Sequence, residues 1–389
     1  MSNSHLLNTY TQWPVSFVSG EGAYLKDEKG GSYLDFVGGI AVNALGYKDP
    51  GLTKALNEVL DSGVLHVSNL YYNAYVLRAA EKLASLSGME KVFFCNSGAE
   101  ANEAALKLAR KWGSGKNKST IISMIDSFHG RTYAAVTATG QKKYHQHFAP
   151  LPSGFVYAHF NDLDSVKTLV DEQTCAIIVE PIQGEGGIIP ATEEFLHGLR
   201  DLCDKHDLLL IYDEVQCGMG RSGRPFAHQL YGVKPDILTT AKALAGGVPA
   251  GAMLTRGSAN DVFVPGDHAS TFGGNALAAR GVCYMCDRLE DEAFLAHVEA
   301  MGSYLRKKLD ELQAQFPDLI TDVRGAGLIN GMAISIPPKE VVAKCFERKL
   351  LVLSAGSDVV RFVPPLIITE KEIDAAVRIL QESLKGLSS

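Results

Sequence analysis

The sequence lacks the features that mark membrane-spanning, secreted and nucleic-acid-binding proteins. No apolar stretch approaches the roughly 20 residues that cross a bilayer, and residues 1–7 lack the basic and apolar regions of a signal peptide. Charges of one sign form no long run, and 37 basic against 44 acidic residues give a formal net charge of -7. We therefore expect no nucleic acid and no membrane as a partner, and we predict a cytoplasmic location.

The cysteines match neither a disulfide framework nor a metal site. Their number is odd, at seven, which favours a reducing compartment. Only Cys283 and Cys286 form a CxxC pair, and a zinc site would need a second pair at suitable spacing. We expect two buried thiols at this pair and no bound metal.

Repeats and low-complexity tracts are also missing, and the remaining pattern indicates an α/β fold. From residue 91, short apolar runs alternate with amphipathic segments, which is typical of a mainly parallel sheet covered by helices. No GxGxxG follows the early strands, which disfavours a Rossmann dehydrogenase. The predicted strands of this sheet are 92–95, 120–125, 176–179, 208–212 and 237–238. The predicted helices between them are 99–112, 163–170 and 193–205.

The two ends of the chain have a different pattern. Near the start we predict a hairpin of residues 24–27 and 33–36, followed by helices at 50–60 and 73–86. After Asn275 one long helical stretch reaches Leu309 and connects to a second, smaller domain. The elements predicted in that domain are strands at 319–323, 328–334, 350–353 and 360–363 and helices at 339–348 and 370–384.

One buried strand ends in a carboxylate, and a lysine follows further along the chain. The run LLLIYDEVQ (208–216) places Asp213 at the carboxyl end of a parallel strand, where ligands of open α/β sheets bind. Lys242 lies among small residues in TTAKALAGG (239–247). The pair suggests pyridoxal phosphate, because a lysine amine can form a Schiff base and an acid can keep the pyridine nitrogen protonated. The alternative is an aspartate that only caps the following turn.

A second strand end has the pattern of a phosphate site. In the run FCNSGAE (94–100), Ser97, Gly98 and Ala99 open a helix, where free backbone amides and the helix dipole favour an anion. An ordinary helix start explains the same residues equally well, with Ser97 as N-cap and Glu100 completing a capping box.

A third strand end supplies an aromatic ring and a cation. Phe128 could stack on a planar ring, and Arg131 could bind a carboxylate through its two-donor fork. For His129 we favour a hydrogen-bonded structural role, because Lys242 makes a histidine base unnecessary.

Two further Gly-rich segments have a less specific pattern. Glu185 in EPIQGEGG (180–187) could present its carboxylate to a cation, although a solvated acid on a flexible turn is the alternative. Ser270 and Thr271 could contact phosphate or substrate, or they could belong to a helix cap.

Taken together, six segments resemble the class III pyridoxal-phosphate-dependent aminotransferases, which have fold type I. The segments are NSGAEANEAALK (96–107), SFHGRT (127–132), EPIQGEGG (180–187), DEVQCGMGRSG (213–223), TTAKALAGGVPAGA (239–252) and STFGGNALA (270–278). The resemblance extends from about residue 10 to residue 384. Within the class, GGIAVNALG (38–46), SFHGRT and VRFVPPL (360–366) are most similar to acetylornithine aminotransferases.

The resemblance implies an α/β protein in which a large domain has a mainly parallel seven-stranded sheet and a smaller domain is α+β. We expect residues 1–45 to form an N-terminal segment that packs with the small domain. Residues 46–275 would form the large cofactor-binding domain, and residues 276–389 would form the C-terminal small domain.

The resemblance also implies how the cofactor would be held. The implied cofactor-binding residues are Ser97, Gly98, Ala99, Phe128, Asp213, Val215, Gln216, Lys242 and Thr271. Lys242 and Asp213 would be the catalytic residues, with Phe128 and Val215 on the two faces of the ring. Thr271 would reach the phosphate of the neighbouring subunit's cofactor, which requires a homodimer with shared active sites.

The implied reaction moves the side-chain amino group of N-acetylornithine to 2-oxoglutarate, as in arginine biosynthesis. Arg131 and Arg361 would bind substrate carboxylates, Glu185 would neutralise Arg361, and Ser270 would contact acetylornithine. The chain departs from the family pattern at Cys217, where threonine is frequent, and at Ala276, where proline is frequent, which leaves the substrate preference open.

Other interpretations remain at this point. Ornithine, succinylornithine, succinyldiaminopimelate and 4-aminobutyrate transaminases and an aminomutase use the same fold, and a pyridoxal-phosphate-binding protein without catalysis is a further class. Tyr10 is similar to a tyrosine that ornithine aminotransferases use near the substrate carboxylate, although a packing role explains it as well.

Overall fold

A computed structural model describes residues 5–387, which form three larger sheets and a two-stranded ribbon with helices around them. In chain order the strands are β1 (Phe17–Glu21), β2 (Tyr24–Asp27), β3 (Ser32–Asp35), β4 (Lys91–Cys95), β5 (Thr120–Met124), β6 (Phe155–Ala158), β7 (Thr174–Val179), β8 (Ile182–Gln183), β9 (Ile189–Pro190), β10 (Leu209–Asp213), β11 (Ile237–Thr240), β12 (Gly251–Thr255), β13 (Ile320–Ala326), β14 (Ile329–Ile334), β15 (Leu350–Leu351), β16 (Leu353–Ala355) and β17 (Val359–Phe362). The helices are α1 (Gly38–Ala41), α2 (Pro50–Ser62), α3 (Val76–Ser87), α4 (Gly98–Ser114), α5 (Tyr133–Ala138), α6 (Leu163–Leu169), α7 (Glu193–His206), α8 (His228–Tyr231), α9 (Ala276–Leu289), α10 (Glu292–Gln315), α11 (Pro338–Glu347) and α12 (Glu370–Lys385).

The central sheet has seven strands in the order β4-β12-β11-β10-β7-β5-β6. Strand β12 pairs antiparallel with both β11 and β4, whereas the other neighbouring pairs are parallel. Every residue of β7 and β10 is buried, because a parallel sheet covered on both faces excludes water from both sides of its middle strands. The predicted α/β class and mainly parallel seven-stranded sheet are confirmed.

Successive residues of β10 pack on opposite layers, as the two-residue period of a strand requires. Leu209 and Ile211 lie in the apolar cluster that α4 covers. Leu210 and Tyr212 lie in the cluster that α7 covers on the other face. This double burial holds the end of β10 rigidly, which in turn holds Asp213.

The N-terminal sheet joins the two ends of the chain. Its order is β1-β2-β3-β15, and β15 comes from the C-terminal part and pairs parallel with β3. Trp13 also stacks on Phe346 of α11, with ring centroids 4.4 Å apart. These contacts support the division into an N-terminal segment 1–45, a large domain 46–275 and a small domain 276–389, which remains a proposal.

The C-terminal sheet has the order β13-β14-β17-β16, and all of its neighbouring strands are antiparallel. Helices α10 and α11 pack on it, and α12 packs on both of these helices. A capping box formed by Thr369 and Glu372 starts α12. Strand β17 is fully buried and contains Arg361, whose side chain contacts Glu185 and Gln216.

The structure differs from the predicted elements in a few places. The long helix expected after Asn275 is two helices, α9 and α10, because Asp291 interrupts the stretch and its side chain accepts from the Ala293 backbone amide at the start of α10. Strands β6 and β12 are absent from the prediction, since each is a short run without clear alternation. Helix α3 begins at Val76 rather than at 73, because the Asn73 side chain accepts from the backbone amides of Tyr75 and Val76 at the start of the helix.

The described part of the chain has neither a candidate membrane-spanning helix nor a candidate metal site. None of its helices combines the length and the hydrophobicity that a bilayer crossing requires. Among residues 5–387, no group of three or more histidine, cysteine or acidic residues is arranged to hold a metal ion. All seven cysteines are buried free thiols, so the prediction of two buried thiols at Cys283 and Cys286 is confirmed.

Candidate active site

Asp213 lies at the carboxyl end of β10 and is held by three donors. Its Oδ2 accepts from Asn102 Nδ2 at 2.7 Å and from His129 Nδ1 at 2.8 Å. Its Oδ1 accepts from the Val215 backbone amide at 3.0 Å. The bond to the Val215 amide caps the turn after β10, so Asp213 does cap this turn as the alternative interpretation expected. It also accepts from two side chains, so capping is not its only contact. The carboxylate is therefore fixed in one orientation.

Two of these donors were not predicted as site residues in this role. Asn102 also donates to the His129 carbonyl at 2.8 Å and accepts from Thr239 Oγ1 at 2.7 Å, which determines the orientation of its amide. His129 is buried, and its Nε2 has no hydrogen-bond partner within the described chain. A signal for Asn102 exists in the sequence, because it is the polar residue on the buried apolar face of α4.

Lys242 follows β11, the strand next to β10, and faces the same cavity as Asp213. Its backbone has a left-handed φ of 48°, which is uncommon for a residue other than glycine. Burial lowers the pKa of the Lys242 ammonium, with nearby Glu185, Asp213 and Glu180 opposing this effect and Arg361 adding to it. A lowered pKa leaves more of the amine neutral, which a nucleophile or a proton acceptor requires.

The cavity between these two residues has a volume of about 460 Å³. It brings together nine of the predicted site residues, namely Ser97, Gly98, Ala99, Phe128, Arg131, Asp213, Val215, Gln216 and Lys242. They lie at the ends of four strands of the central sheet, β4, β5, β10 and β11, as the sequence predicts. Their individual roles remain predictions.

The first turn of α4 forms one end of the cavity. Ser97 is the N-cap, and its Oγ accepts from the Glu100 backbone amide at 3.2 Å. The expected capping box is not complete, because the Glu100 carboxylate accepts from the backbone amide of Asn96 instead of that of Ser97. Within residues 5–387, the backbone amides of Gly98 and Ala99 have no acceptor. Two free N–H groups at a helix start are suited to bind a phosphate.

Gly98 lies against the side chain of Val215. A Cβ atom at Gly98 would be 2.7 Å from Val215 Cγ1, which is closer than van der Waals contact allows. Only glycine permits this approach between the start of α4 and the loop after β10. The backbone amides suited to a phosphate and the apolar side chain of Val215 are therefore adjacent in the cavity.

Phe128 and Arg131 lie on the loop that follows β5. The Phe128 backbone amide donates to Glu180 Oε2 at 3.0 Å, which holds the loop against β7. The Arg131 guanidinium carbon lies 3.9 Å from the ring centroid of Tyr144 and 5.3 Å from that of Phe128. Arg131 has no acidic partner in the described residues, so its charge is available to a ligand.

Glu185, Gln216 and Arg361 form one hydrogen-bonded cluster beside the cavity. Arg361 Nη1 donates to Glu185 Oε1 and, at 3.0 Å, to Gln216 Oε1. Burial alone would raise the pKa of the Glu185 carboxyl, but the Arg361 charge and hydrogen bond outweigh it and lower this pKa. The alternative of a solvated acid is therefore wrong for Glu185, because its carboxylate is ion-paired.

Ser270 and Thr271 do not line this cavity. They border a neighbouring pocket, where Ser270 Oγ accepts from Asn96 Nδ2 at 3.1 Å. Thr271 is exposed. Tyr10 is exposed as well and borders a different cavity near Trp13. Within one chain, these three residues are thus separate from Asp213 and Lys242.

Glu180 is a further residue of the site, and the sequence analysis did not select it. Its carboxylate accepts from the backbone amides of Phe128 at 3.0 Å and of Gly184 at 3.2 Å, and so connects two loops of the site. Burial raises its pKa to about 7, Asp213 acts in the same direction, and His129 opposes them. Its position directly after an apolar strand, like that of Asp213, is the signal that could have identified it.

These groups fit pyridoxal phosphate. The free amides of Gly98 and Ala99 suit its phosphate, the fixed Asp213 carboxylate suits a protonated ring nitrogen, and the Lys242 amine suits its aldehyde. The fold and the site together define a pyridoxal-phosphate-dependent enzyme of fold type I.

Comparison with known proteins identifies the family. The family model described as "Aminotransferase class-III" matches residues 7–384. The chain is 49% identical to the acetylornithine aminotransferase of Clostridium acetobutylicum over 99% of this chain and 100% of that protein. It is 48% identical to a succinylornithine transaminase of Yersinia pseudotuberculosis over 95% of this chain and 92% of that protein. The chain belongs to the class III aminotransferase family and is a pyridoxal-phosphate-dependent transaminase, so the resemblance seen in the sequence is confirmed.

A solved structure supports the same conclusion for the fold. The ornithine aminotransferase from Toxoplasma gondii ME49 superposes with a TM-score of 0.93 at 32% identity, covering 98% of this chain and 93% of that chain. The similar proteins thus have names with three different amino-group donors.

Proposed function

We propose that the protein transfers the side-chain amino group of N-acetylornithine to 2-oxoglutarate, giving N-acetylglutamate 5-semialdehyde and glutamate, as a step of arginine biosynthesis. The observation that carries the proposal is the pairing of Arg361 with Glu185 beside a cavity in which Arg131 is unpaired. The identity of 49% to the Clostridium acetobutylicum acetylornithine aminotransferase over nearly the whole chain supports it.

Each half of this reaction needs a different charge arrangement. N-acetylornithine presents a distal amine without a carboxylate near the reacting carbon, and in our proposal Arg131 binds its remote carboxylate. Glutamate reacts at the carbon that also carries its α-carboxylate, so it needs a second cation near Lys242. With Glu185 on Arg361 the site suits the first substrate, and with Glu185 displaced it suits the second.

Pyridoxal phosphate supplies an electron sink that makes the C–H bond beside the substrate nitrogen acidic. In our proposal Gly98 and Ala99 hold its phosphate through backbone amides. Asp213 holds the proton on the pyridine nitrogen, and Gln216 donates to the phenolic oxygen. Lys242 Nζ would take a proton from the reacting carbon of the amino-group donor and, in the second half-reaction, deliver one to the reacting carbon of the acceptor, for which its lowered pKa is suitable.

The remaining proposed contacts are those to the two faces of the cofactor ring, to its phosphate and to the substrate. Phe128 and Val215 cover the two faces of the ring, and Ser97 caps the helix whose amides hold the phosphate. Ser270 contacts N-acetylornithine from the neighbouring pocket that Asn96 connects to the main cavity.

We also propose that the enzyme is a homodimer in which Thr271 reaches the phosphate in the partner's site. Exposed apolar side chains near Thr271 support this, because a large exposed apolar surface marks an interface. The segment 64–72 is tied to this region, since Asn69 Nδ2 donates to the Ser270 carbonyl at 2.6 Å. The exposed apolar residues of the two segments are Val64, Leu65, Leu70, Tyr71, Tyr72 and Phe272.

Assembly is testable with Lys242→Ala and Thr271→Ala, two variants that we expect to be nearly inactive. Mixing the two variants gives dimers with one subunit of each kind. If Thr271 acts across the interface, one of the two sites in such a dimer contains neither substitution, and activity should recover. If Thr271 acts within its own subunit, each site contains one substitution and no activity should recover.

A cytoplasmic location is part of the proposal, and the seven free thiols suit a reducing compartment.

Single-turnover spectra with different amino-group donors test the substrate assignment. The holoenzyme is mixed with N-acetylornithine, N-succinylornithine, ornithine or 4-aminobutyrate, and the rate of loss of the cofactor's visible band is measured at several concentrations. We expect the highest kcat/KM for N-acetylornithine. Equal or faster turnover of ornithine would contradict N-acetylornithine as the donor. If N-succinylornithine were the best donor, the proposed substrate would change, but the proposed role of Arg131 would stand.

A further inference from the structure

Tyr144 lies behind Arg131 and forms a layer with it and Phe128. It is the last residue of the short 3-10 turn Lys142–Tyr144 and is half-buried. The Arg131 guanidinium carbon is 3.9 Å from the centroid of the Tyr144 ring, and the Tyr144 and Phe128 rings meet edge to face at 5.8 Å. One aromatic side chain thus contacts both the predicted carboxylate-binding cation and the predicted ring-stacking residue.

The contact with Tyr144 restricts the Arg131 side chain although that side chain is exposed. Arginine has a long side chain with many rotamers, and an unpaired one on the surface has to lose that freedom when it binds a ligand. In residues 5–387 no acidic side chain pairs with Arg131, so no ion pair provides the order. A guanidinium stacked on an aromatic face keeps its donor edge free for a carboxylate.

A second cation acts on the same ring. Lys143 Nζ lies 4.9 Å from the Tyr144 centroid. Lys143 and Arg131 thus increase the positive potential on this side of the cavity, which favours a substrate that carries a remote carboxylate. Glu185 and Arg361 lie in the other cluster and do not contact Tyr144.

We propose that Tyr144 is a specificity-determining positioning residue, which holds the Arg131 guanidinium in the orientation that binds the carboxylate of the amino-group donor. It selects donors with a carboxylate far from the reacting amine over amines that have none. The inference rests on the proposed role of Arg131, and its own test can fail while that role stands.

Four variants of the holoenzyme test the proposal, namely Tyr144→Phe, Tyr144→Leu, Arg131→Ala and the double variant Tyr144→Leu with Arg131→Ala. For N-acetylornithine we expect Tyr144→Leu to raise KM about tenfold, the effect of losing one partly desolvated cation–π contact, with kcat nearly unchanged. Tyr144→Phe should behave like the wild type, because the aromatic face remains. With pentylamine, which has no carboxylate, Tyr144→Leu should leave the half-reaction rate unchanged.

The double variant shows whether Tyr144 acts through Arg131. We expect its KM to equal that of Arg131→Ala alone, since the guanidinium that Tyr144 holds is gone. A tenfold further increase in the double variant would show that Tyr144 acts independently and would overturn the proposal. An unchanged KM in Tyr144→Leu, together with a raised KM in Arg131→Ala, would overturn it too while leaving the role of Arg131 intact. An unchanged KM in Arg131→Ala would contradict the proposed function itself.

A matched control and a second variant cover effects on folding. Arg110 lies 4.8 Å from the Phe155 ring centroid, away from the cavity, so Phe155→Leu removes a comparable contact and should leave KM unchanged. If Tyr144→Leu folds poorly, Tyr144→Gln replaces it at this half-buried position. A KM increase of the same size in the Phe155 variant would show a general loss of order and would contradict the specific role of Tyr144.

Discussion

Arg361 and Glu185 form an ion pair that connects the C-terminal sheet to the turn between β8 and β9. The guanidinium is almost fully buried, and its Nη1 also donates to Gln216 at 3.0 Å. One arginine therefore joins a residue predicted to neutralise it and a residue predicted to contact the cofactor. Displacing Glu185 would expose this buried cation to the carboxylate of a substrate.

Arg361→Lys should weaken the glutamate half-reaction. A lysine keeps the charge but loses the two-donor fork, and a hydrogen bond to a charged group contributes about 1.5 to 3 kcal/mol. We expect KM for glutamate and 2-oxoglutarate to rise by ~10-fold to ~100-fold, and KM for N-acetylornithine to change little. Steady-state kinetics with each substrate measures this. The matched control is Arg306→Lys, because Arg306 of α10 is ion-paired with Asp310 outside the cavity.

Glu185→Gln should shift the preference in the opposite direction. An amide leaves Arg361 without its neutralising partner, so the site suits a substrate with an α-carboxylate in both half-reactions. We expect kcat/KM for N-acetylornithine to fall relative to that for glutamate by about tenfold, the effect of one charge-assisted bond. Equal losses for the two substrates would show that Glu185 only supports the loop.

Lys242→Ala should remove covalent attachment of the cofactor and nearly all turnover. The Lys242 amine has no hydrogen-bond or ion-pair partner in the described chain. Burial lowers its pKa, which increases the fraction of the amine that is neutral and able to react. The purified wild type should have a visible absorption band that borohydride bleaches, and the variant should lack the bleachable band. The exposed Lys26→Ala is the control and should keep it. Persistence of a bleachable band in the Lys242 variant would assign the attachment to another residue.

Local patterns in the sequence were sufficient to place residues at strand ends. The apolar run before Asp213 predicts a buried strand, and the rule that ligands bind at the carboxyl ends of parallel strands predicts a common cavity. The structure confirms the sheet and brings Asp213, Lys242 and Gly98 to one cavity. These placements follow from the period of a strand and from the direction of a parallel sheet, which a sequence displays directly.

Contacts between distant segments could not be predicted in the same way. Asn102 and His129 hold Asp213, and Tyr144 holds Arg131, but no periodicity relates such positions along the chain. Strand β12 could not be predicted from its local pattern either. Its antiparallel position between β4 and β11 depends on pairing partners elsewhere in the sequence. Packing selects these pairs, and a local pattern does not contain that information.

Glu180 should make the stability of the cofactor-free protein depend on pH. Burial raises the pKa of its carboxyl from a usual 4.5 to about 7, with Asp213 acting in the same direction and His129 opposing. Between these two values the folded protein holds a proton that the unfolded chain has lost. The stability that this group contributes is therefore complete below the unfolded pKa and is lost as pH rises through the folded pKa.

Glu180→Gln removes this titration. An amide oxygen can still accept from the backbone amide of Phe128 or of Gly184, so part of the loop connection remains. Relative to the wild type, the variant should gain up to about 3 kcal/mol between pH 5 and pH 8. Chemical denaturation of the cofactor-free protein at both pH values measures the difference. The exposed Glu194→Gln should show no such dependence, and a difference that is the same at pH 5 and pH 8 would show that Glu180 is already ionised across this range.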